Sequence, residues 1–200
     1  MAHLHSTSSE LRMRFLLLLP RLCLVVALLA SPARLLSQST PAAPSTGTTT
    51  VVLVRHAEKA TDDPRDPSLS PAGQERAQAL LSVLRNAGVT AIYATQYRRP
   101  QQTAAPLAQQ LGLSIVERPA TAANASTYAR DLAQEIISTH AGKTVLVAGH
   151  SNTVPEIVEA LSGSSVQPIS ESEYDHLFLV VVPASGPARL FQVRYGRVGA

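Results

Sequence analysis

The 200-residue chain is long enough for one ordinary α/β domain and too short for two of comfortable size. Its formal net charge of +3 arises within the first 37 residues, since the remainder carries 13 basic and 13 acidic residues. That remainder has no stripe of Lys and Arg with interleaved aromatic residues, so its composition gives no electrostatic reason to expect nucleic-acid binding.

The N-terminal segment has the layout of a secretory signal. From Arg12 it reads RMRFLLLLPRLCLVVALLASPARLLSQ, with basic residues first, then a leucine-rich run, then small residues. Pro20 and Arg21 interrupt the run, so it lacks the roughly 20 uninterrupted apolar residues of a membrane-spanning helix. We expect residues 1–37 to be a signal peptide or an uncleaved N-terminal anchor, and the mature protein to be periplasmic or extracellular. The single cysteine, Cys23, lies in this segment, so no disulfide is expected afterwards.

The next stretch, SQSTPAAPSTGTTT, is rich in Ser, Thr, Pro and Ala and has little that could pack. It predicts a disordered linker over residues 38–50, followed by one domain over residues 51–200.

Within that domain, short aliphatic runs alternate with amphipathic stretches. The predicted strands cover residues 51–54, 91–94, 113–116 and 145–148, and the predicted helices cover 71–87, 100–111, 127–139 and 154–161. Strands that are apolar on both faces indicate a parallel sheet covered by helices. The runs HLFLVVV and ARLFQVRY predict a terminal hairpin. We therefore expect a three-layer α/β/α sandwich with a mostly parallel central sheet and a C-terminal hairpin.

The first helix has a well-marked beginning and end. Ser70 is a suitable N-cap, Pro71 takes the first helical position, and Gly88 stops the apolar periodicity. Gly73 is interpreted only as a member of the first turns.

Basic side chains follow three of the predicted strands. Arg55 and His56 come directly after the first, His150 follows the fourth, and Arg98 and Arg99 stand before the helix expected near residue 100. Because the carboxyl ends of parallel strands share one edge of a sheet, these side chains are expected in one pocket. Arginine forks match phosphoryl oxygens, and nearby arginines keep a histidine neutral and nucleophilic. With no carboxylate cluster or cysteine among them, the pattern indicates phosphoryl chemistry without a metal or cofactor.

Four stretches carry a family resemblance: VLVRHAEK, LSPAGQERAQAL, ATQYRRPQQTA and VLVAGHSNT. In order and spacing they resemble the four signatures of the histidine phosphatase superfamily, also called phosphoglycerate-mutase-like. The resemblance covers residues 51–161. It implies a metal-independent phosphoric monoester hydrolase that acts on a small phosphorylated molecule through a phosphohistidine.

The resemblance also implies residue roles. His56 would be the nucleophile, and Arg55 beside it would bind the phosphoryl group. The family's second arginine stands four residues before a Thr-Ala pair, which matches Arg99. His150 would complete the pocket, and Ser151 would help to bind substrate.

Two features depart from the family pattern. The first signature reads R-H-A where R-H-G is commoner, which adds the methyl group of Ala57 and removes no acting group. The larger departure is the missing proton donor, because RPATAANASTYAR contains no acid and a serine follows His150. A donor is needed for an alkoxide leaving group and hardly for an activated one. The candidate donors are Glu58, Glu117 and Asp175.

Three alternatives remain open. The stretch GHSNT is similar to the serine nucleophile turn of α/β-hydrolases, with Ser151 as nucleophile and Asp175 and His176 downstream. A phosphoglycerate-mutase-type phosphoryl transferase would use the same pocket. A binding module that holds phosphate without turnover would fit the absence of an acid.

Overall fold

The computed structural model describes residues 47–197. Its elements, in chain order, are β1 (Thr49–Arg55), α1 (Pro71–Leu84), β2 (Val89–Ala94), α2 (Arg98–Leu111), β3 (Ile115–Glu117), α3 (Tyr128–Thr139), β4 (Thr144–Gly149), α4 (Thr153–Ser162), β5 (His176–Val182) and β6 (Arg189–Arg194).

The six strands form one mixed sheet in the order β3-β2-β4-β1-β5-β6. Strands β1 to β4 are mutually parallel, and β5 runs antiparallel to both β1 and β6. The predicted fold class, a mostly parallel α/β sheet ending in a hairpin, is confirmed. Strand β5 of the hairpin pairs directly with β1. This pairing places the segment before β5 next to the carboxyl end of β1.

Alternating side chains of β1 supply two separate cores. Val51 and Leu53 pack into the cluster formed with α3 and α4, whereas Val52 and Val54 pack into the cluster formed with α1 and α2. Helices therefore cover both faces, as a continuous aliphatic run requires. The strand is held on both sides and both faces, so the residue at its carboxyl end, Arg55, has a well-defined position.

Some element boundaries differ from those predicted. Strand β1 begins at Thr49, so the linker expected over residues 38–50 is too long at its C-terminal end. Thr49 is buried and its Oγ1 accepts a hydrogen bond of 2.9 Å from the backbone N of Gly142, which ties the start of the strand to the turn before β4. Helix α1 ends at Leu84 rather than residue 87.

The predicted signal or anchor over residues 1–37, and the linker up to residue 46, lie outside the described residues. Within residues 47–197, no helix combines the length and apolar character needed to cross a membrane.

The start of α1 lies unusually close to the backbone that follows β1. Ser70 caps the helix as predicted, accepting a hydrogen bond of 3.1 Å from the backbone N of Gly73. A Cβ atom on Gly73 would lie 2.3 Å from the carbonyl oxygen of Glu58. Gly73 is therefore more than part of a first turn: it is the residue that lets α1 approach the segment carrying His56.

We expect Gly73→Ala to destabilise the fold by about 2 kcal/mol or more, since the added methyl meets backbone rather than a side chain that could move aside. Denaturant unfolding measures the effect. Gln74→Ala, at an exposed position of the same turn, serves as the control and should change stability by less than about 0.5 kcal/mol. Equal stability of Gly73→Ala and the unmodified protein would contradict the close approach.

Candidate active site

Three adjacent strand ends bring the predicted basic residues together. Arg55 ends β1, His56 follows it, and the backbone N of His56 donates to the carbonyl of Gly149 over 2.9 Å, which continues the pairing of β1 with β4. The rings of His56 and His150 lie 5.3 Å apart at 70°. Arg99 reaches the same place from α2. We call Arg55, His56, Arg99 and His150 the cradle.

Arg99 lies in the first turn of α2, which begins at Arg98 and not near residue 100 as predicted. Its Nε lies 3.4 Å from Nε2 of His56. Arg98 is exposed and forms an ion pair of 3.4 Å with Asp62. The helix thus directs its second arginine to the cradle and its first to the surface.

The hydrogen bonds of His56 determine its tautomer. Nδ1 lies 2.8 Å from the carbonyl oxygen of Ala57, which can only accept, so Nδ1 carries the proton. Nε2 of the neutral ring is then an acceptor, and its electron pair accepts a long hydrogen bond of 3.4 Å from Nε of Arg99. The ring is therefore oriented with its nucleophilic nitrogen toward the cationic side of the cradle.

Both cradle histidines are held neutral. Burial lowers the pKa of His56 to about 3; the hydrogen bond to Ala57 opposes that shift, and the charges of His150, Arg99 and Arg55 add to it. Burial, then Arg99 and Arg55, lower the pKa of His150 to about 4. At neutral pH neither imidazole therefore carries a second proton, and Nε2 of His56 stays unprotonated.

Two threonines that sequence reasoning did not select hold the cradle in place. Thr103 Oγ1 accepts from the backbone N of Ala57 over 2.9 Å and donates to the carbonyl of Arg99 over 2.8 Å. Thr95 Oγ1 lies 2.8 Å from Nε2 of His150. Thr103 was visible in the sequence as part of a signature, whereas no local pattern marked Thr95. Both are fully buried, so their hydrogen bonds persist without competition from water.

The environment of Arg55 comes from the segment that precedes β5. Nη1 of Arg55 donates to the carbonyls of Ser170 over 2.6 Å and Glu173 over 3.0 Å, and Nη2 donates to Glu171 Oε2 over 3.0 Å. The guanidinium stacks on Tyr174 with its Cζ 4.3 Å from the ring centroid. Arg55 Nε has no hydrogen-bond partner among the described residues. The segment before β5 therefore holds a buried guanidinium and leaves part of it free.

Ser151 belongs to the same arrangement. Its Oγ donates to Oε1 of Glu171 over 3.1 Å, so one carboxylate contacts both Arg55 and Ser151. The structure places the predicted substrate-binding serine at the edge of the cradle.

The three predicted proton donors are not placed at the cradle. Glu58 is occupied by Arg76, with Oε1 2.7 Å from Nη2. Asp175 is buried and pairs with Arg194. Glu117 is exposed at the end of the edge strand β3, two strands away from β4. These carboxylates were candidates because of their positions in the sequence. In the folded chain, Glu58 and Asp175 form ion pairs with arginines outside the cradle, and Glu117 lies at the surface.

A cavity of about 460 Å³ opens beside the cradle. Its wall includes Arg99 and His150, the ring of Tyr97, residues of the segment after β3, and the carboxylate of Glu156 on α4. It offers space for the remainder of a small molecule whose anionic group lies in the cradle. Across residues 47–197, no three His, Cys, Asp or Glu side chains gather as ligands for a metal ion.

Comparison with known proteins gives a family match for part of the chain and structures that share its fold. Residues 51–122 match the family model described as histidine phosphatase superfamily, branch 1. A mycobacterial glucosyl-3-phosphoglycerate phosphatase shares the fold with a TM-score of 0.58 at 15% identity, covering 74% of this chain and 100% of that one. The protein histidine phosphatase SixA, solved with tungstate, has a TM-score of 0.54 at 20% identity, with 72% and 96% covered.

A phosphoserine phosphatase from Entamoeba histolytica, solved with 3-phosphoglyceric acid, has a TM-score of 0.55 at 12% identity, with 75% and 98% covered. Identities this low establish a shared fold alone. No curated protein matches the chain by sequence.

The sheet and the cradle define a class of protein: an α/β domain with two neutral histidines and two arginines at the carboxyl edge of its parallel strands. Residues 51–122 contain three of the four signatures and match the model of the histidine phosphatase superfamily, which confirms the resemblance in that range. The chain is similar to the histidine phosphatase superfamily over this part, and its α/β domain shares the fold of solved phosphatases of that superfamily.

Proposed function

We propose that this protein is a metal-independent phosphatase that hydrolyses a small phosphorylated molecule through a phosphohistidine on His56. The observation that carries the proposal is the state of that ring: it is buried, neutral and protonated on Nδ1, and the electron pair of Nε2 accepts only a long hydrogen bond from Arg99, which an arriving phosphoryl group can replace. A neutral imidazole next to two guanidinium groups is suited to attack a phosphoryl dianion, because the cations bind the charge that would otherwise repel the nucleophile.

In the first step, the electron pair of Nε2 forms a bond to phosphorus while the bond from phosphorus to the leaving-group oxygen breaks. Arg55, Arg99 and His150 hold the equatorial oxygens, where the charge of the transition state is spread. In the second step, water attacks phosphorus, the bond to Nε2 breaks, and inorganic phosphate leaves. The hydrogen bond from Nδ1 to Ala57 keeps the ring aligned through both steps.

The serine-hydrolase alternative finds little support in these contacts. Ser151 donates to the carboxylate of Glu171 rather than to a histidine, and His176 stacks flat on Phe178 at a ring separation of 5.7 Å. Asp175 is paired with Arg194. The three members of that triad therefore have other partners, and Ser151 is better suited to contact a phosphoryl oxygen.

The substrate and location form part of the proposal. The cavity next to Arg99 and His150 suits a small phosphorylated molecule, and the solved relatives of this fold include phosphatases of a phosphorylated sugar acid and of phosphoserine. Export to the periplasm or beyond follows from the signal-like pattern of residues 1–37. If that segment is retained, it would be the one membrane contact.

The mechanism is tested by stopping the reaction rapidly without acid and analysing the enzyme for a bound phosphoryl group. During hydrolysis of an aryl phosphate in chelator, the enzyme should carry one phosphoryl group that is stable in alkali and lost in acid, and peptide mapping should place it on His56. A phosphoryl group on another residue, or turnover that chelator abolishes, would contradict the proposal. Tight phosphate binding with no hydrolysis of any ester would favour the non-catalytic module. Transfer between two phosphorylated acceptors in preference to water would favour the mutase.

A further inference from the structure

Glu171 is a carboxylate that the fold brings into direct contact with the cradle. It lies 115 residues after His56 in the chain, and its two oxygens contact Nη2 of Arg55 and Oγ of Ser151 at 3.0 and 3.1 Å. Arg55 is buried, whereas the Glu171 side chain is 75% exposed. A carboxylate this exposed can turn without disturbing the core, while its partner cannot.

The hydrogen bonds of Arg55 show where a phosphoryl group would bind. Nη1 is fully used by the carbonyls of Ser170 and Glu173, whereas Nε has no partner among residues 47–197. An anion bound bidentately by this guanidinium must therefore use Nε and Nη2. Nη2 carries two N–H donors and Glu171 Oε2 accepts from one of them, so a phosphoryl dianion on Nε and Nη2 would lie beside that oxygen, and the repulsion between the two anions favours release of Oε2 from Arg55.

This exchange changes the protonation of Glu171. In the free protein the charge of Arg55 is the largest influence that lowers the pKa of Glu171; the hydrogen bond from Ser151 and the charge of Lys59 act in the same direction, and desolvation opposes them. When a phosphoryl dianion takes Arg55, the carboxyl loses that cation and gains a like charge next to it. Both changes favour the protonated acid.

We propose that Glu171 is the general acid and base of the reaction: substrate displaces its Oε2 from Arg55, and that oxygen then exchanges a proton with the leaving group. Ser151 keeps Oε1, which holds the carboxyl beside the phosphoryl group. This inference rests on the proposed phosphatase function.

The proton balance closes over the two steps. As the bond from phosphorus to the ester oxygen breaks, the proton on Oε2 passes to that oxygen, and the alcohol leaves with Glu171 ionised. As water attacks the phosphohistidine, Oε2 takes one proton from the water, so that hydrogen phosphate leaves and Glu171 is again protonated.

Other carboxylates are less well placed. Glu58 and Asp175 are held by Arg76 and Arg194, and neither contacts the cradle. Glu156 lines the cavity and is the rival to be tested.

The test compares two substrates that differ in their need for a proton. One is glycerol phosphate, which leaves as an alkoxide, and the other is p-nitrophenyl phosphate, which leaves as a stable phenolate. Glu171→Gln should lower kcat for glycerol phosphate by about 100-fold or more and kcat for p-nitrophenyl phosphate by less than about fivefold. Because the amide cannot donate a carboxyl proton, the basic limb of the pH profile for glycerol phosphate should also disappear. Glu159→Gln, exposed on α4, is the control and should match the unmodified protein on both substrates.

The outcomes separate this inference from the function on which it rests. Equal losses on both substrates would overturn it, because they indicate a role in binding or positioning. It would also be overturned if Glu156→Gln lowered kcat for glycerol phosphate but not for p-nitrophenyl phosphate, while Glu171→Gln lowered neither. An unmodified protein that cleaves p-nitrophenyl phosphate but not glycerol phosphate has no working acid, which overturns the inference and leaves the phosphohistidine mechanism standing. Failure to form a phosphoenzyme on His56 would instead remove the proposed function.

Discussion

His56→Ala is expected to lower kcat for phosphate-ester hydrolysis by about 10⁵-fold, because it removes the nucleophile of the proposed mechanism. Nε2 of His56 is oriented by the hydrogen bond of Nδ1 to Ala57 and is neutral at any pH above about 3. Arg55, Arg99 and His150 remain in the variant. Inorganic phosphate should therefore bind with an affinity within about tenfold of the unmodified protein, since the groups that carry its charge are unchanged.

Two measurements check this expectation. Steady-state hydrolysis gives the loss of kcat, and competition by phosphate or isothermal titration gives the binding constant. Ser151→Ala is the informative companion, because it should reduce activity moderately and keep the phosphoenzyme. Near-normal hydrolysis in His56→Ala together with complete loss in Ser151→Ala would show that the serine is the nucleophile and that the mechanism is wrong.

Arg99→Ala is expected to lower kcat/KM by about 10³-fold and to weaken phosphate binding as well. Its guanidinium lies within 3.4 Å of the attacking nitrogen, so it contacts both the bound anion and the charge that develops during transfer. Removing it also removes one of the charges that depress the pKa of His56 and His150. Burial remains the main cause of both shifts, so the rings should stay neutral at pH 7 and the loss should reflect phosphoryl binding.

The neighbouring arginine supplies a matched control on the same helical turn. Arg98→Ala removes an exposed side chain paired with Asp62 and should change kcat/KM by less than about threefold. Arg99→Lys should recover part of the affinity, because a charge remains, but little of the bidentate geometry. Similar losses in Arg98→Ala and Arg99→Ala would indicate a general effect of surface charge and would contradict the assigned position of Arg99.

The strands and helices were predictable because each is encoded by its own residues. The run Val51 to Val54 is apolar on both faces, and the structure uses both faces, with alternate residues in separate cores. The N-cap at Ser70 and the helix-ending signal near Gly88 also depend only on residues close by in the sequence. The boundaries that differ, at Thr49, Leu84 and Arg98, depend on which neighbouring strand or loop supplies a partner, and that information is not local.

The cradle was predictable for a topological reason. Parallel strands end at a common edge, so residues that follow β1, β2 and β4 must meet once those strands are neighbours. The proton donor was not predictable by the same reasoning. Glu58 lies two residues after His56, yet its carboxylate is drawn away by Arg76, which is 18 residues further along the chain.

The sequence alone determined the parallel α/β domain, the strand-end position of Arg55, His56 and His150, and the resemblance to a family, because periodicity and adjacent signatures express short-range constraints. Only the tertiary structure decided the tautomer of His56, the free Nε of Arg55 and the presence of Glu171 in the site. The tautomer of His56 depends on the carbonyl of Ala57, which the folded backbone places against Nδ1. The contacts of Arg55 and Glu171 come from the β5 hairpin, which lays residues 170–174 against the end of β1. Such contacts join groups more than 100 residues apart, and their geometry exists only after the sheet has formed.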